Sequence, residues 1–199
     1  MFARYRAQTT LLVGEMVRRR ATQSWKRIVA RAGRFGPVTA IRPSPAGHLL
    51  VVLSNPPTTS GNRTLQRVEV AKVVLGHSTV AVANLFSIPT YRTGGISDAG
   101  KTPAGWLSAR VLLANAVAVA DAVVLAYGCQ EPSGIARQHF RDQLAWLQIA
   151  LESRALPTWM IDGRPRHPSR WHRHTFAQHP DLPFADALPL VLRPAALAN

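Results

Sequence analysis

Apolar and polar positions run along this chain in blocks whose period keeps changing. Residues 47–53 form a short apolar run that stops at Ser54-Asn55-Pro56-Pro57, the pattern of a buried strand ending in a loop. Leu65, Val68, Ala71 and Leu75 then recur at helical spacing, with Asn62 or Thr64 placed to cap the helix start. Residues 78–85 are a second, β-branched run, broken by Ser87, Pro89 and the Gly94-Gly95 pair. A long helix is predicted over 104–119, and a third buried strand over 122–127, stopping at Gly128. Phe140, Leu144, Leu147 and Leu151 mark one face of another helix. A fourth strand is predicted over 156–161, ending at Asp162-Gly163. Residues 1–45 read as basic and helical in two pieces. Residues 176–199, rich in Pro and Ala, read as an irregular tail wrapped on the surface.

Strands that alternate with helices, each strand nearly all apolar, imply an α/β fold. The expected architecture is a three-layer α/β/α sandwich around a mostly parallel, four-stranded sheet covered on both faces. It forms a single domain: a core over 46–175, the basic segment 1–45 packed on it, and the tail 176–199. In such sheets ligands bind beyond the carboxyl ends of the strands. That rule nominates four loops, at 54–61, 84–92, 127–133 and 162–173, and they hold the polar residues least like packing.

Composition sharpens this picture through charge. Lys and Arg number 24 against 10 acidic residues, a formal charge of +14 within 199 residues. A polyanionic partner follows, and DNA fits better than an anionic membrane because no amphipathic anchor stands out. Arg greatly outnumbers Lys, which suits forked contacts to phosphate oxygens. No apolar run reaches the ~20 residues of a membrane span. Arg18, Arg19 and Arg20 follow the only apolar stretch near the N-terminus, unlike an export signal. The single cysteine, Cys129, excludes an internal disulfide and suits a reducing cytoplasm.

Taken together, the four loops resemble the uracil-DNA glycosylase superfamily. Its first motif, G-x-D-P-Y or G-x-N-P-G after the first strand, is matched by Leu53-Ser54-Asn55-Pro56-Pro57. A strand ending in Asn is matched by Val82-Ala83-Asn84-Leu85-Phe86. A strand ending in Gly is matched by Val123-Val124-Leu125-Ala126-Tyr127-Gly128. The final H-P-S motif stands as Arg166-His167-Pro168-Ser169-Arg170-Trp171. The chain also resembles an uncharacterised bacterial family that shares N-P-S/T, N-L-F and R-H-P elements. The likeness spans roughly 47–172. Leu53 stands in place of the usual Gly, and Pro57 in place of the aromatic wall residue, which bears on substrate more than on fold.

The resemblance implies a glycosylase that hydrolyses the bond between a base and its sugar in DNA, working as a monomer without cofactor or metal. Asn55 would position the water and His167 would donate to the departing base, where preorganised donors lower the barrier most. Ser54, Pro57, Asn84, Phe86 and Gly128 would bind the base, with Asn84 offering both donors and an acceptor to its edge. Trp171 would wedge into the stack when the base flips out, and Ser169, Arg170 and Arg173 would hold the DNA. Asn rather than Asp at position 55 implies slower turnover. Pro57, followed by Thr58, Thr59, Ser60 and Gly61, implies a pocket roomier at C5 of a pyrimidine. Base-excision repair and defence against phage DNA with modified bases both fit such a pocket.

Residue by residue, other readings stay open. A DNA-binding protein with the same fold and no catalysis would keep the same basic surface. An enzyme acting on a free nucleoside or nucleotide would not need +14. His167, His172, His174 and His179 raise a metal site, but only His172-x-His174 is tightly spaced and Asp162 and Asp181 are the nearest acids. No GxGxxG or P-loop pattern provides a phosphate cradle.

Overall fold

A computed structural model describes residues 46–195 except Arg92. The helical expectation for residues 1–45 lies outside the described residues. Strand β1 (His48–Leu53) is buried from Leu49 onward. Helix α1 (Asn62–Val74) follows it, then strand β2 (Thr79–Asn84) and helices α2 (Thr93–Ala99) and α3 (Ala104–Val119). Strand β3 (Ala122–Leu125), helix α4 (Ile135–Glu152) and strand β4 (Thr158–Ile161) complete the parallel part. Helices α5 (Pro168–Gln178) and α6 (Phe184–Val191) and strand β5 (Leu192–Pro194) close the chain.

The sheet runs β2-β1-β3-β4-β5, parallel except for β5. Leu53 of β1 is in register with Asn84 of β2, so both strands end at the same level. Because side chains alternate along a strand, β1 feeds two cores. Leu50 and Val52 pack with Phe86, Trp106, Leu113, Phe140 and Leu147, under α3 and α4. Leu49, Val51 and Leu53 pack with Val68, Trp171, Leu188 and Val191, under α1, α5 and α6. The result is an α/β fold with helices on both faces of a five-stranded, mostly parallel sheet.

Two expectations need correction. The sheet has five strands rather than four, and the described part of the expected tail, residues 176–195, is not irregular. The stretch is instead built on Ala187, Leu188 and Val191, which share one buried face of α6. That burial outweighs the bond lost at Pro189, inside the helix. Leu192 then enters β5 and pairs with Ile161 of β4. Strand β2 is also less covered than its apolar sequence implies, since Thr79, Ala81 and Val82 are exposed.

One buried polar group fixes the end of β2. Gln143 of α4, with no exposed surface, donates through Nε2 to the carbonyl of Leu85 at 3.0 Å and accepts from Arg110 Nε of α3 at 2.8 Å. An unpaired amide there would be costly, so the network ties two helices to the backbone just past Asn84.

Candidate functional site

The carboxyl ends of the strands open on a cleft of about 1000 Å³. All four nominated loops, together with α5, contribute to its walls. The Ser54-Asn55-Pro56-Pro57 turn lies along one side. Ser54 Oγ donates to Asn55 Oδ1 at 2.9 Å. Asn55 Nδ2 donates to the carbonyl of Pro56 at 3.0 Å and to Thr90 Oγ1 at 3.1 Å, with the Thr90 carbonyl at 3.3 Å. The Asn55 amide therefore ties the loop after β1 to the loop after β2, and its Oδ1 keeps a second lone pair. Asn84, at the end of β2, lines the same cleft with its Oδ1 buried and without a protein partner.

The opposite wall is built by a tight turn after β4. Asp162 and Gly163 both take positive φ, at 47° and 66°, and reverse the chain toward α5. Gly128, at φ 97°, donates its backbone N–H to the carbonyl of Pro165 at 2.6 Å, joining the loops after β3 and β4. His167 then caps α5: its Nδ1 accepts from the backbone N–H of Ser169 at 3.2 Å, with Pro168 at the first helical position. An amide N–H can only donate, so Nδ1 is the acceptor and the proton of neutral His167 sits on Nε2. Burial, then the charges of Arg67 and Arg170, hold the imidazole below its ordinary pKa and favour that neutral form.

Ser54, Asn55, Pro57, Asn84, Gly128, His167, Ser169, Arg170 and Arg173 all line this one cleft. Two proposed site residues do not. Phe86 has no exposed surface, and its ring lies 4.7 Å from that of Trp106 and directly against Gly105, where an added Cβ would stand 2.3 Å away. It is a core residue because the apolar run of β2 continues into the interior past Asn84. Trp171 is likewise fully buried, in the core beneath α5. With the helix starting at Pro168, Pro168, Trp171 and Thr175 share its inward face. Position 171 therefore points away from any DNA-facing surface.

Sequence reasoning missed Tyr127, Tyr91, Arg166 and the pair Asp162–His174. Tyr127 was absorbed into a strand, yet it lies past β3 at the cleft wall, with its ring edge-on to Phe140 at 5.9 Å. Burial, and after it the neighbouring Cys129, pushes its phenol above the ordinary pKa. Tyr91 lines the mouth and is 77% exposed. Asp162 bonds His174 Nε2 and accepts from Gln178 Nε2 at 2.6 Å. Burial works against its ionisation, but these bonds and the charges of His174 and Arg193 outweigh it and hold the carboxyl below its ordinary pKa.

The cleft is electrostatically one-sided. Arg166, Arg170 and Arg173 line it, and no carboxylate does so among the described residues. Nor, among those residues, do three His, Cys, Asp or Glu side chains gather as a metal site. None of the described helices is long and apolar enough to cross a membrane.

A family described as "Protein of unknown function (DUF1643)" matches residues 41–169, more than half of the chain. The chain belongs to the DUF1643 family. No curated protein and no solved structure matches it. The DUF1643 segment includes Asn55, Asn84, Gly128 and His167 and ends at Ser169. Arg170 and Arg173, most of α5, and all of α6 and β5 lie beyond it.

Proposed function

We propose that this protein is a DNA glycosylase: it hydrolyses the N-glycosidic bond of a damaged or C5-modified pyrimidine flipped out of DNA and leaves an abasic site. The observation that carries this reading is the commitment of His167 Nδ1 to the cap of α5. It leaves the Nε2–H as a fixed donor on the wall of an arginine-rich cleft that no carboxylate of the described residues lines. As the C1′–N bond breaks, its electron pair leaves with the base, and a donor at the base oxygen stabilises that charge. One such donor contributes ~10²–10³ in rate. Water attacks C1′, oriented by the remaining lone pair of Asn55 Oδ1, and releases its proton to solvent as the C–O bond forms, while the base leaves as its anion and takes up a proton from solvent. Asn84 offers its unpartnered Oδ1 to the edge of the base. The resemblance of these loops to the uracil-DNA glycosylase superfamily supports the same assignment. Base-excision repair and defence against modified phage DNA, in the cytoplasm, are the settings that suit this activity.

A second reading rests on the missing carboxylate. Asn55 is a weak acceptor for a proton, so the same cleft would serve a DNA-binding protein with no catalysis. One experiment separates the two: incubation with oligonucleotides bearing modified bases, followed by alkaline cleavage at abasic sites. Strand breaks at the modified position support the glycosylase. Tight binding without breaks, against every base tried, sinks it in favour of the silent binder.

A further inference from the structure

Several arginines away from the cleft find acceptors within the protein. Arg110 bonds Gln143, Arg137 bonds the carbonyl of Pro132, and Arg141 bonds Glu131 at 2.9 Å. Arg166 differs: its Nε is buried and has no hydrogen-bond partner, although the residue lines the cleft. A buried donor on a charged group costs stability unless something outside the fold completes it.

The backbone that carries Arg166 is held on both sides. The Pro165 carbonyl accepts from Gly128 N at 2.6 Å, and the Arg166 carbonyl accepts from Trp171 Nε1 at 2.5 Å. Arg166 N also donates to the Arg164 carbonyl at 2.8 Å. The root of the side chain is thus set before any ligand arrives, which reduces the ordering needed on binding. A planar fork of donors in a cleft that no carboxylate of the described residues lines, with Arg170 lining the same cleft, matches the oxygens of a phosphate diester.

We infer that Arg166 binds a nonbridging phosphate oxygen of the linkage next to the nucleotide that enters the cleft. The inference rests on reading the cleft as a DNA site. It makes Arg166 the contact that draws sugar and phosphate in with the base, while Arg170 and Arg173 hold the strand farther out.

The test uses the full chain and short oligonucleotides with a tetrahydrofuran abasic analogue at the target position. Single methylphosphonates, which are neutral, replace each flanking linkage in turn, and binding is read by fluorescence anisotropy. For the wild type, neutralising one adjacent linkage should weaken binding roughly ten- to hundred-fold, the loss expected of one charge-assisted bond. In R166A that penalty should vanish at the same linkage, while penalties at more distant linkages persist. R166K should keep part of it. A wild type indifferent at both adjacent linkages overturns the inference whatever the variants do, as does an unchanged penalty in R166A. Inorganic phosphate that displaces the oligonucleotide better than chloride of equal ionic strength would assign the residue to free phosphate instead, and overturn it too. Base release is scored separately. Excision without linkage sensitivity removes Arg166 alone, and linkage sensitivity without excision removes the glycosylase alone.

Discussion

The indole N–H of Trp171 donates to the carbonyl of Arg166 at 2.5 Å, from a side chain with no exposed surface. Trp171 thereby anchors the turn that presents Arg166 and His167, and it cannot enter a base stack without unpacking α5. Trp171→Ala should cost about 3–5 kcal/mol of stability through the lost burial and the cavity it leaves. It should depress excision from single- and double-stranded substrates alike. Denaturant unfolding, with activity on both substrates, checks this. A variant of wild-type stability that fails only on duplex would return Trp171 to the role of wedge.

The apolar runs located all four parallel strands: β1 and β3, buried on both faces, have no polar alternation to blur them, and β2 keeps an apolar, β-branched run although Thr79, Ala81 and Val82 are exposed. The observed ends differ by at most two residues: the run at 122–127 outlasts β3, whose pairing stops at Leu125. Helix α5 escaped notice because Ser169-Arg170-Trp171-His172-Arg173-His174 offers a single apolar residue to a periodicity argument. Its start signals, a capping side chain at His167 and Pro168 after it, fit a loop motif equally well in sequence. The tail was misjudged on composition, which counts Pro and Ala but not the spacing of Leu188 and Val191. The cleft-lining loops were legible from the rule that places ligands at strand carboxyl ends. Arg166 was not, because a buried Nε without a partner is a property of the fold and leaves no mark in sequence.

His167 should link stability to pH in a defined direction. Its folded pKa lies below the ordinary 6.5, so the unfolded chain binds this proton more readily. The stability tied to neutral His167 is fully present above that value and is lost as pH falls through it toward the lower folded pKa. His167→Asn keeps a side chain able to cap α5 and removes the titration. The gap in Tm between wild type and variant should therefore shift against the wild type from about pH 8 to about pH 5. A gap constant with pH would contradict the capping assignment. Loss of the Nε2 donor should also cut base release by ~10²–10³.

Asn55 answers two carbonyls and a hydroxyl with one NH₂ group, a demand a carboxylate cannot meet. Asn55→Asp should lose about 1–3 kcal/mol at neutral pH, because the new oxygen faces the carbonyls of Pro56 and Thr90. Protonated Asp could donate again, so its folded pKa would be raised. The variant's deficit against wild type should shrink as the medium is acidified toward the unfolded Asp pKa of about 3.9. Denaturant melts of both proteins at several pH values check it. An Asp variant as stable as wild type at neutral pH would show that the amide does not tie the two loops together.

On the glycosylase reading, Pro57 is the residue that should govern which base the cleft admits. In the uracil-specific enzymes that this loop resembles, an aromatic ring at this position packs against C5 of the base and excludes a methyl group. Here Pro57 lines the cleft beside Thr58, Thr59 and Ser60, all exposed. Gly61, at φ 65°, sits so close that an added Cβ would stand 3.1 Å from Pro57 Cγ. The aromatic residues that do reach the cleft, Tyr91 and Tyr127, come from the loops after β2 and β3 rather than from this turn. A pyrimidine enlarged at C5 by a polar group should therefore fit, with hydroxyls at hand to bond the substituent. Plain uracil should be rejected only weakly, since an oversized pocket loses little by holding a smaller base. Matched oligonucleotides carrying uracil, thymine or a bulky C5-modified cytosine decide the point, with Pro57→Tyr as the control. The wild type should release the bulky base, and the variant should lose that activity more than roughly ten-fold relative to uracil, the discrimination of a single steric wall. Efficient release of uracil with none of the bulky base by the wild type would show that the pocket is closed at C5 despite Pro57.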